Sequence, residues 1–327
     1  MGKVCEIQGI EPFNEVFYKD CYFNSLFSVM NYFQLDISYV LINDIFHYEL
    51  LNQASGLRVR YQEIRSVNEI LEEGSIRVEC QLYSNNIIED IKNAICQNIP
   101  VILAVDGFYC PNIIDIYQKK HILHTLLIVG FDDTKKIFSI IDLEVLNNLT
   151  YKKFIISYEQ LIRAHRADLV VLNQEKGENT IFFYSETTGS CPLPEVRFIY
   201  LNNLRLQENI VWKGMEDLEK FIQNYKSLCY SEKSYVSKEL LDCFVEVFNS
   251  KKVELYRLQR IFGTDHQLTI AYQQLQEKWK HIMTQYGLYH YSSKKQESVI
   301  FQISACLREA VQLEKKVLSK LLLYEEK

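Results

Sequence analysis

Three residues of this chain, Cys21, His124 and Asp142, have the side chains that nucleophilic acyl chemistry requires. A cysteine thiolate attacks a carbonyl carbon, a histidine carries the proton, and a carboxylate holds the histidine in the correct tautomer and orientation. Each residue type is also common in a purely structural role. The elements that carry the three residues therefore decide whether they can act together.

Cys21 lies at the predicted beginning of a helix. Asp20 is a suitable N-cap, and apolar residues recur at helical spacing as far as Phe33. These positions are Tyr22, Leu26, Val29, Met30 and Phe33. The free N–H groups and the dipole of a helix N-terminus favour a thiolate, whereas the neighbouring Asp20 charge opposes it. The alternative is that Asp20 is an ordinary cap and Cys21 an inert residue of the first turn.

His124 and Asp142 lie on a predicted β-hairpin. Strand-like runs cover residues 124–131 and 136–143, and the polar residues 132–135 separate them. Closing this hairpin places His124 opposite a residue at or within about one position of Asp142, where facing Cβ atoms lie roughly 5 Å apart. The alternatives are a hydrogen-bonded core histidine and an aspartate that only ends its strand. A register shift of one residue would turn Asp142 to the other face.

The other elements predict an α+β protein of two domains. Residues 75–83, 99–105, 180–184 and 196–201 are typical of strands, whereas 37–51 and 86–98 are typical of helices. From about Val211 onward the period is helical, in segments near 215–229, 236–249, 252–262, 267–286 and 295–324. We therefore expect a catalytic domain over residues 1–208 and an all-α domain over 209–327.

Composition excludes several classes of protein. Hydrophobic residues make up 48% and charged residues 24%, with 11 Gly and 5 Pro, which is typical of a packed globular chain. A net charge of −6 lacks the basic surface that nucleic acid requires. The sequence contains neither an apolar run of membrane-spanning length nor the pattern of a secretory signal at its N-terminus, so we expect a cytoplasmic chain with no membrane partner.

Nine cysteines occur, an odd number with no C-x-x-C pair. This pattern favours neither a disulfide framework nor a clustered zinc site. Most of the cysteines are expected to be buried reduced thiols. The sequence predicts no metal and no cofactor.

An acyl-transfer site also needs donors for the oxyanion that forms during attack. The backbone N–H of Cys21 is the first candidate. Asn14 and Gln8 are side-chain candidates for the second donor, and both are equally consistent with ordinary loop amides.

Four segments resemble the N-terminal domain of the butirosin-biosynthesis acyltransferase family: DCYFNSLFSVMNYF, IPVILAVDGFYCP, HTLLIVGFDD and FSIIDLE. The following helical third is similar to the C-terminal region of that family. The resemblance implies a papain-like cysteine-enzyme domain, in which an N-terminal helix carries the cysteine and an antiparallel sheet carries the histidine and the aspartate, followed by an all-α domain. It places the nucleophile at Cys21, the base at His124 and the orienting acid at Asp142.

The resemblance further implies an acyltransferase of natural product biosynthesis. Its donor is an acyl carrier protein or another acyl thioester, and its acceptor is a small-molecule or peptidyl amine. Asp106 matches an acidic position of the family and is expected either beside the site, binding a cationic acceptor, or simply ending a strand. Six basic residues are candidates for docking an acidic carrier or for an ordinary solvated face: Lys119, Lys120, Lys152, Lys153, Arg163 and Arg166.

Two other functions fit the same residues. The pattern is also similar to bacteriocin-processing cysteine peptidases, which usually have Gln six residues before the cysteine, where this chain has Glu15. A peptidase, amidase or thioesterase would use the same triad and let water resolve the acyl-enzyme. A non-catalytic binding scaffold would retain the fold and use Cys21 structurally.

Overall fold

The computed structural model describes residues 2–51, 56–146, 148–187, 194–230, 234–292 and 296–324. The chain forms two compact units. The first, here the sheet unit, comprises Met1–Ile37 and Val67–Leu193. The second, here the helical unit, comprises Ser38–Ser66 and Pro194–Lys327.

The described strands are β1 (Val4–Glu6), β2 (Asp44–Leu51), β3 (Gly56–Glu63), β4 (Ile76–Gln81), β5 (Val101–Asp106), β6 (Leu123–Asp132), β7 (Ile137–Asp142), β8 (Lys152–Ser157) and β9 (Ile181–Glu186). The described helices are α1 (Cys21–Tyr32), α2 (Ser38–Leu41), α3 (Val67–Glu73), α4 (Ile87–Ile95), α5 (Tyr158–His165), α6 (Asp168–Glu175), α7 (Val196–Leu206), α8 (Glu208–Cys229), α9 (Ser234–Phe262), α10 (Gln267–Tyr291) and α11 (Glu297–Leu322). The protein is therefore α+β, as the sequence predicts.

The sheet unit is built on an antiparallel sheet in the order β4-β9-β5-β6-β7-β8, with β1 paired to the end of β6. All six residues of β5 are buried, which explains why its sequence is a continuous apolar run rather than an alternating one. Helices α1 and α4 pack against β5 and β6, and α5 packs against β5. The predicted strands at residues 75–83, 99–105 and 180–184 and the predicted helix at 86–98 are confirmed as β4, β5, β9 and α4.

The helical unit combines a two-stranded sheet, β2 with β3, with helices α7 to α11. Two predictions for this unit were wrong. The segment 37–51 contains the short helix α2 and then strand β2, whose eight residues pair along their whole length with β3. The segment 196–201 belongs to helix α7, because Tyr200, Leu201 and Leu204 are buried together at helical spacing. Tertiary burial overrides the β propensity of that segment.

The two units divide the chain differently from the predicted boundary at residue 208. Residues 38–66 and 194–208 pack with the helices that follow them. Asn203 on α7 donates to the Ile42 carbonyl at 3.0 Å, and the Tyr200 hydroxyl donates to Glu254 on α9 at 2.5 Å. The predicted loop around Cys191 lies outside the described residues. Over the part of the chain that the structure describes, every helix is too short or too polar to cross a membrane.

Candidate functional site

Cys21 is the first residue of helix α1, as the sequence predicts. The carboxylate of Asp20 caps the helix, because its Oδ1 accepts from the N–H groups of Tyr22 at 2.9 Å and Phe23 at 3.3 Å. The cap engages the second and third N–H groups of the helix rather than the first. The N–H of Cys21 therefore lies at the same helix N-terminus but does not donate to the Asp20 carboxylate.

The segment before Cys21 is fixed in place by the helix that follows it. Asn24 accepts from the N–H of Tyr18 at 3.2 Å and donates to the carbonyl of Val16 at 3.0 Å. Lys19 has a φ of 52°, the left-handed region that a non-glycine residue rarely adopts. A non-glycine residue keeps this unfavourable conformation only where the surrounding structure enforces it. Such residues are concentrated at functional sites.

His124 and Asp142 form a buried hydrogen-bonded pair. His124 is the second residue of β6 and is 1% exposed, and Asp142 is the last residue of β7 and is fully buried. The imidazole Nε2 and the carboxylate Oδ1 are 2.7 Å apart. Because Nε2 is used by Asp142, Nδ1 is the ring nitrogen that remains for a second partner.

The register of the hairpin differs from the predicted one. The turn spans residues 133–136 rather than 132–135, and an irregularity between Ile128 and Gly130 shifts the ladder by one residue. Continuing the last pair, Leu127 with Ile141, puts Asp142 across from residue 126 rather than 124. By the same continuation His124 lies across from residue 144, two positions beyond Asp142, whereas the prediction allowed a difference of about one position. The contact forms instead along a diagonal, which still brings the two side chains together.

Cys21 and His124 shift each other's pKa. Burial raises the pKa of the Cys21 thiol, but the charge and hydrogen bonding of His124, with a contribution from Thr125, outweigh it and the net shift is downward. For His124 burial lowers the pKa, but the charges of Asp142 and Cys21 and hydrogen bonds to both raise it well above 6.5. These shifts favour a thiolate beside an imidazolium.

Asn112 is a site residue that sequence reasoning missed. Its Nδ2 donates to Oδ2 of Asp142 at 2.8 Å and to the carbonyl of Leu143 at 3.0 Å. The N–H of Leu143 also donates to Oδ1 of Asp142, at 2.7 Å. The carboxylate is therefore held by partners on both oxygens, which fixes the rotamer that faces His124. Asn112 lies in an irregular segment, and no periodic pattern pointed to it.

The side chain of Asn14, one of the two candidate oxyanion donors, is hydrogen-bonded at both ends to the backbone of Tyr151. Its Nδ2 donates to the carbonyl of Tyr151 at 2.8 Å, and its Oδ1 accepts from the Tyr151 N–H at 2.9 Å. Both ends of the amide are used to hold residue 151. The other candidate, Gln8, has an exposed side chain that donates to the carbonyl of Glu6 at 3.4 Å.

Tyr151 is a second residue that the sequence did not single out. It directly precedes β8, whose first residue, Lys152, pairs with Asp142. Its side chain is 3% exposed, and its hydroxyl has no hydrogen-bond partner among the described residues. Burial raises the pKa of this phenol, and the charges of Cys21, Asp142 and Asp20 raise it further. An uncharged hydroxyl donor therefore lies buried near the thiol.

Asp106 is a fully buried aspartate at the end of a strand, one of the two placements expected for it. It ends β5, where its neighbour Val105 pairs with His124. Its Oδ1 accepts from the N–H of Phe108 at 3.0 Å, and its Oδ2 is 2.5 Å from Nδ1 of His121. Both carboxylate oxygens therefore have partners within the protein.

Several of the six candidate docking residues have partners nearby. Lys152 pairs with Glu144 at 2.8 Å and Arg163 with Glu159 at 2.7 Å. Lys153 lies 3.4 Å from Glu11, and Lys119 donates to the carbonyl of Ile114 at 2.8 Å. Three of the six charges are thus offset by glutamates, which reduces their value as a single basic patch.

No protein-family model matches the chain, and no curated protein is significantly similar to it. The described residues contain no group of three or more His, Cys, Asp or Glu side chains that could hold a metal ion. The geometry around Cys21 is therefore the basis on which a function can be assigned.

Proposed function

We propose that the chain is a papain-like cysteine acyltransferase of natural product biosynthesis, in which Cys21 takes an acyl group from a thioester and passes it to an amine. The single observation that carries this proposal is the buried hydrogen bond of 2.7 Å between His124 and Asp142, together with the pKa shifts that His124 and Cys21 impose on each other. A helix beginning at the cysteine packs against the antiparallel sheet that carries the other two residues. That arrangement supports the papain-like part of the proposal.

The resting site is an ion pair. With Nε2 donating to Asp142, a protonated His124 directs its Nδ1–H toward the sulfur of Cys21. The thiolate is the nucleophilic form of cysteine, so attack needs no prior proton transfer. Asp142 stabilises the imidazolium, and Asn112 holds Asp142 in position.

Acylation begins when the Cys21 thiolate attacks the thioester carbonyl. The bond between the carbonyl carbon and the donor sulfur then breaks, and the imidazolium of His124 gives its proton to the departing thiolate. The products are the acyl-enzyme, a free thiol and a neutral imidazole. That imidazole then accepts a proton from the attacking amine, Cys21 leaves as a thiolate, and the ion pair is restored with the amide released.

Two donors are available for the oxyanion of each tetrahedral intermediate. The Cys21 N–H lies at the positive end of α1 and outside the Asp20 cap. The second is the Tyr151 hydroxyl, which is buried and has no partner within the described part of the chain. Because burial and nearby negative charge keep this phenol protonated, it can donate to an oxyanion throughout the working pH range.

Transfer to an amine, with an acyl carrier protein or another thioester as donor, rests on the resemblance of the DCYFNSLFSVMNYF and HTLLIVGFDD segments to the butirosin-biosynthesis acyltransferases. The triad itself is compatible with water as the final acceptor. The experiment must therefore separate formation of the acyl-enzyme from its fate.

Intact-mass analysis after mixing the protein with acyl-carrier and small-molecule thioesters tests the proposal. We expect a mass gain of one acyl group on the parent protein and on Cys80→Ala, which removes another half-buried cysteine, and none on Cys21→Ala. Candidate amines added afterwards should discharge the acyl group faster than buffer alone. Discharge by water at the same rate with or without amine would replace the transferase with a hydrolase. Equal labelling of Cys21→Ala and the parent would leave only a binding scaffold.

A further inference from the structure

A second pair of reactive groups lies on the sheet unit, separate from the triad. Cys5 lies in strand β1, and Cys96 directly follows helix α4 as its C-cap residue. Their Sγ atoms are 3.0 Å apart. Both residues are half-buried, so the sulfurs are packed together while remaining within reach of small molecules.

The backbone on each side holds the two sulfurs at this separation. Cys5 pairs with Phe131 in the ladder between β1 and β6. The N–H of Cys96 donates to the Lys92 carbonyl at 3.0 Å, which fixes the end of α4. A disulfide bond is about 2.05 Å long, so the sulfurs need to approach by only about 1 Å to become bonded.

The charges around the pair make its two members unequal. Burial raises the pKa of the Cys96 thiol, but hydrogen bonds from Cys5 and Lys3 and the charges of Lys3 and Lys92 outweigh it and lower that pKa overall. The hydrogen bond to Cys96 is the main factor that raises the pKa of Cys5. Cys96 is therefore favoured as the thiolate, and Cys5 as the thiol that donates a hydrogen bond to it. Redox-active cysteine pairs have the same two roles: one cysteine attacks the oxidant, and the second resolves the product as a disulfide.

We propose that Cys5 and Cys96 form a reversible disulfide when the protein meets a peroxide. The Cys96 thiolate attacks one oxygen of hydrogen peroxide and the O–O bond breaks, so that Cys96 becomes a sulfenic acid and hydroxide leaves. The hydroxide takes up the proton that the Cys96 thiol lost on ionisation and becomes the first water. The Cys5 sulfur then attacks the sulfenic sulfur, a second water leaves, and the S–S bond forms. Two thiols and one peroxide yield one disulfide and two waters. A small dithiol returns both cysteines to the reduced state by thiol–disulfide exchange.

The bond would join strand β1 covalently to helix α4 across 91 residues of sequence. Strand β1 pairs with the end of β6 beyond the irregularity at Ile128 and Gly130. Oxidation would thus add a covalent link between the N-terminal strand and the end of α4, and reduction would leave noncovalent contacts, among them the three residue pairs of the β1–β6 ladder and the flanking hydrogen bonds of Lys3 and Ile7. This inference is independent of the acyltransferase proposal.

The test is performed on the full chain carrying Cys21→Ala, so that oxidation of that thiol does not contribute. After treatment with hydrogen peroxide, alkylation under denaturing conditions and digestion, we expect one crosslinked peptide pair joining Cys5 to Cys96. The count of alkylatable thiols should fall by two and recover with dithiothreitol. Cys5→Ser and Cys96→Ser should each abolish the crosslink, whereas Cys80→Ser, a control at another half-buried cysteine, should retain it.

A further difference is expected between the two serine variants. Cys5→Ser retains the reactive thiolate and should accumulate sulfenic acid at Cys96, which a dimedone probe detects, whereas Cys96→Ser should leave Cys5 largely unreacted. A Cys21→Ala parent that keeps all its thiols at peroxide concentrations that oxidise Cys96 in the Cys5→Ser variant would overturn the proposal. So would a crosslink that joins either cysteine to a different partner.

Discussion

Asp142 reaches His124 diagonally across the β6–β7 hairpin, at 2.7 Å between Oδ1 and Nε2, rather than from the directly facing position. The contact depends on a carboxylate rotamer that the Leu143 N–H holds through Oδ1 and Asn112 holds through Oδ2. The imidazole is therefore positioned by a network of hydrogen bonds rather than by the strand register alone.

Replacing Asp142 with Asn removes the negative charge of this side chain while nearly preserving its shape. The amide retains the volume and an acceptor for the Nε2–H, but it removes the charge that raises the pKa of His124 and replaces the acceptor of the Asn112 hydrogen bond with an NH2 group. We expect acyl-enzyme formation to slow by about 10²–10⁴-fold, the usual contribution of positioned acid–base groups. Single-turnover mass spectrometry measures this rate. Asn112→Ala, which leaves the charge in place, should slow the reaction less, and equal losses in both variants would contradict a role for the charge.

The pH dependence of Cys21 alkylation reports the ion pair. Because His124 lowers the pKa of the thiol, iodoacetamide should react with Cys21 at pH values below the ordinary thiol pKa of 9.0. In His124→Ala the burial that raises this pKa is no longer opposed by the imidazolium, so the profile should move to higher pH. Peptide mapping at each pH gives the rate for this cysteine alone. A profile unchanged by His124→Ala would show that the two groups do not interact.

The converse experiment follows His124 in Cys21→Ala. Removal of the thiolate removes one of the charges that raise the pKa of the imidazole, so this pKa should fall, as ring-proton NMR can measure. Because the pKa of His124 in the folded protein lies above its value of 6.5 in the unfolded chain, protonation of this residue stabilises the folded state. The stabilisation is fully present below pH 6.5 and is lost as the pH rises through the pKa of the folded protein. In Cys21→Ala the folded pKa is lower, so this stabilisation should be smaller and should be lost completely at a lower pH. Apparent values in the parent belong to the coupled pair.

Tyr151→Phe removes a hydroxyl that has no partner among the described residues, so the folded state should lose no hydrogen bond. Stability measured by thermal unfolding should stay the same or rise. Acylation should slow by about 10²–10³-fold if the phenol stabilises the oxyanion. Tyr158→Phe is a suitable control, because that hydroxyl donates to Asp133 at 2.9 Å. The opposite pattern, a full rate with reduced stability, would assign Tyr151 a packing role.

Lys251 and Glu314 form a buried ion pair in the helical unit, and the Tyr48 hydroxyl also donates to Glu314, at 2.9 Å. Lys251→Ala leaves a carboxylate buried without its cation and should cost about 3–5 kcal/mol of unfolding free energy. Lys251→Met with Glu314→Gln removes both charges and should recover much of that loss. Lys278→Ala breaks an exposed pair with Glu309 and should change stability by less than about 1 kcal/mol. Urea denaturation followed by circular dichroism compares the three; similar losses for Lys251→Ala and Lys278→Ala would argue against the effect of burial.

The elements that carry Cys21, His124 and Asp142 could be predicted from the sequence because local patterns determine them. A cap followed by helical periodicity located Cys21, and two strand-like runs located His124 and Asp142. The hairpin register was missed because the turn residues 133–136 and the irregularity at Ile128 leave no distinct mark in the sequence. Asn112 and Tyr151 were missed because their positions depend on long-range hydrogen bonds to Asp142 and Asn14.

Outside the site, errors arose where a segment's partner is distant along the chain. The periodicity of residues 37–51 suits either a helix or a strand, and pairing with β3 selects the strand. For α7, burial of Tyr200 and Leu204 within the helical unit outweighs the preference of a sequence rich in β-branched and aromatic residues.

The helical unit takes its residues from two separate stretches, 38–66 and 194–327. The ribosome therefore releases the first stretch more than a hundred residues before the helices that complete its packing exist. Until those helices are synthesised, strands β2 and β3 form an isolated hairpin, a structure that is only marginally stable in water. The helical core consequently cannot form until residues 194–327 have been synthesised, and a fragment ending at residue 208 would retain the hairpin without helices α8 and α9 that pack against it.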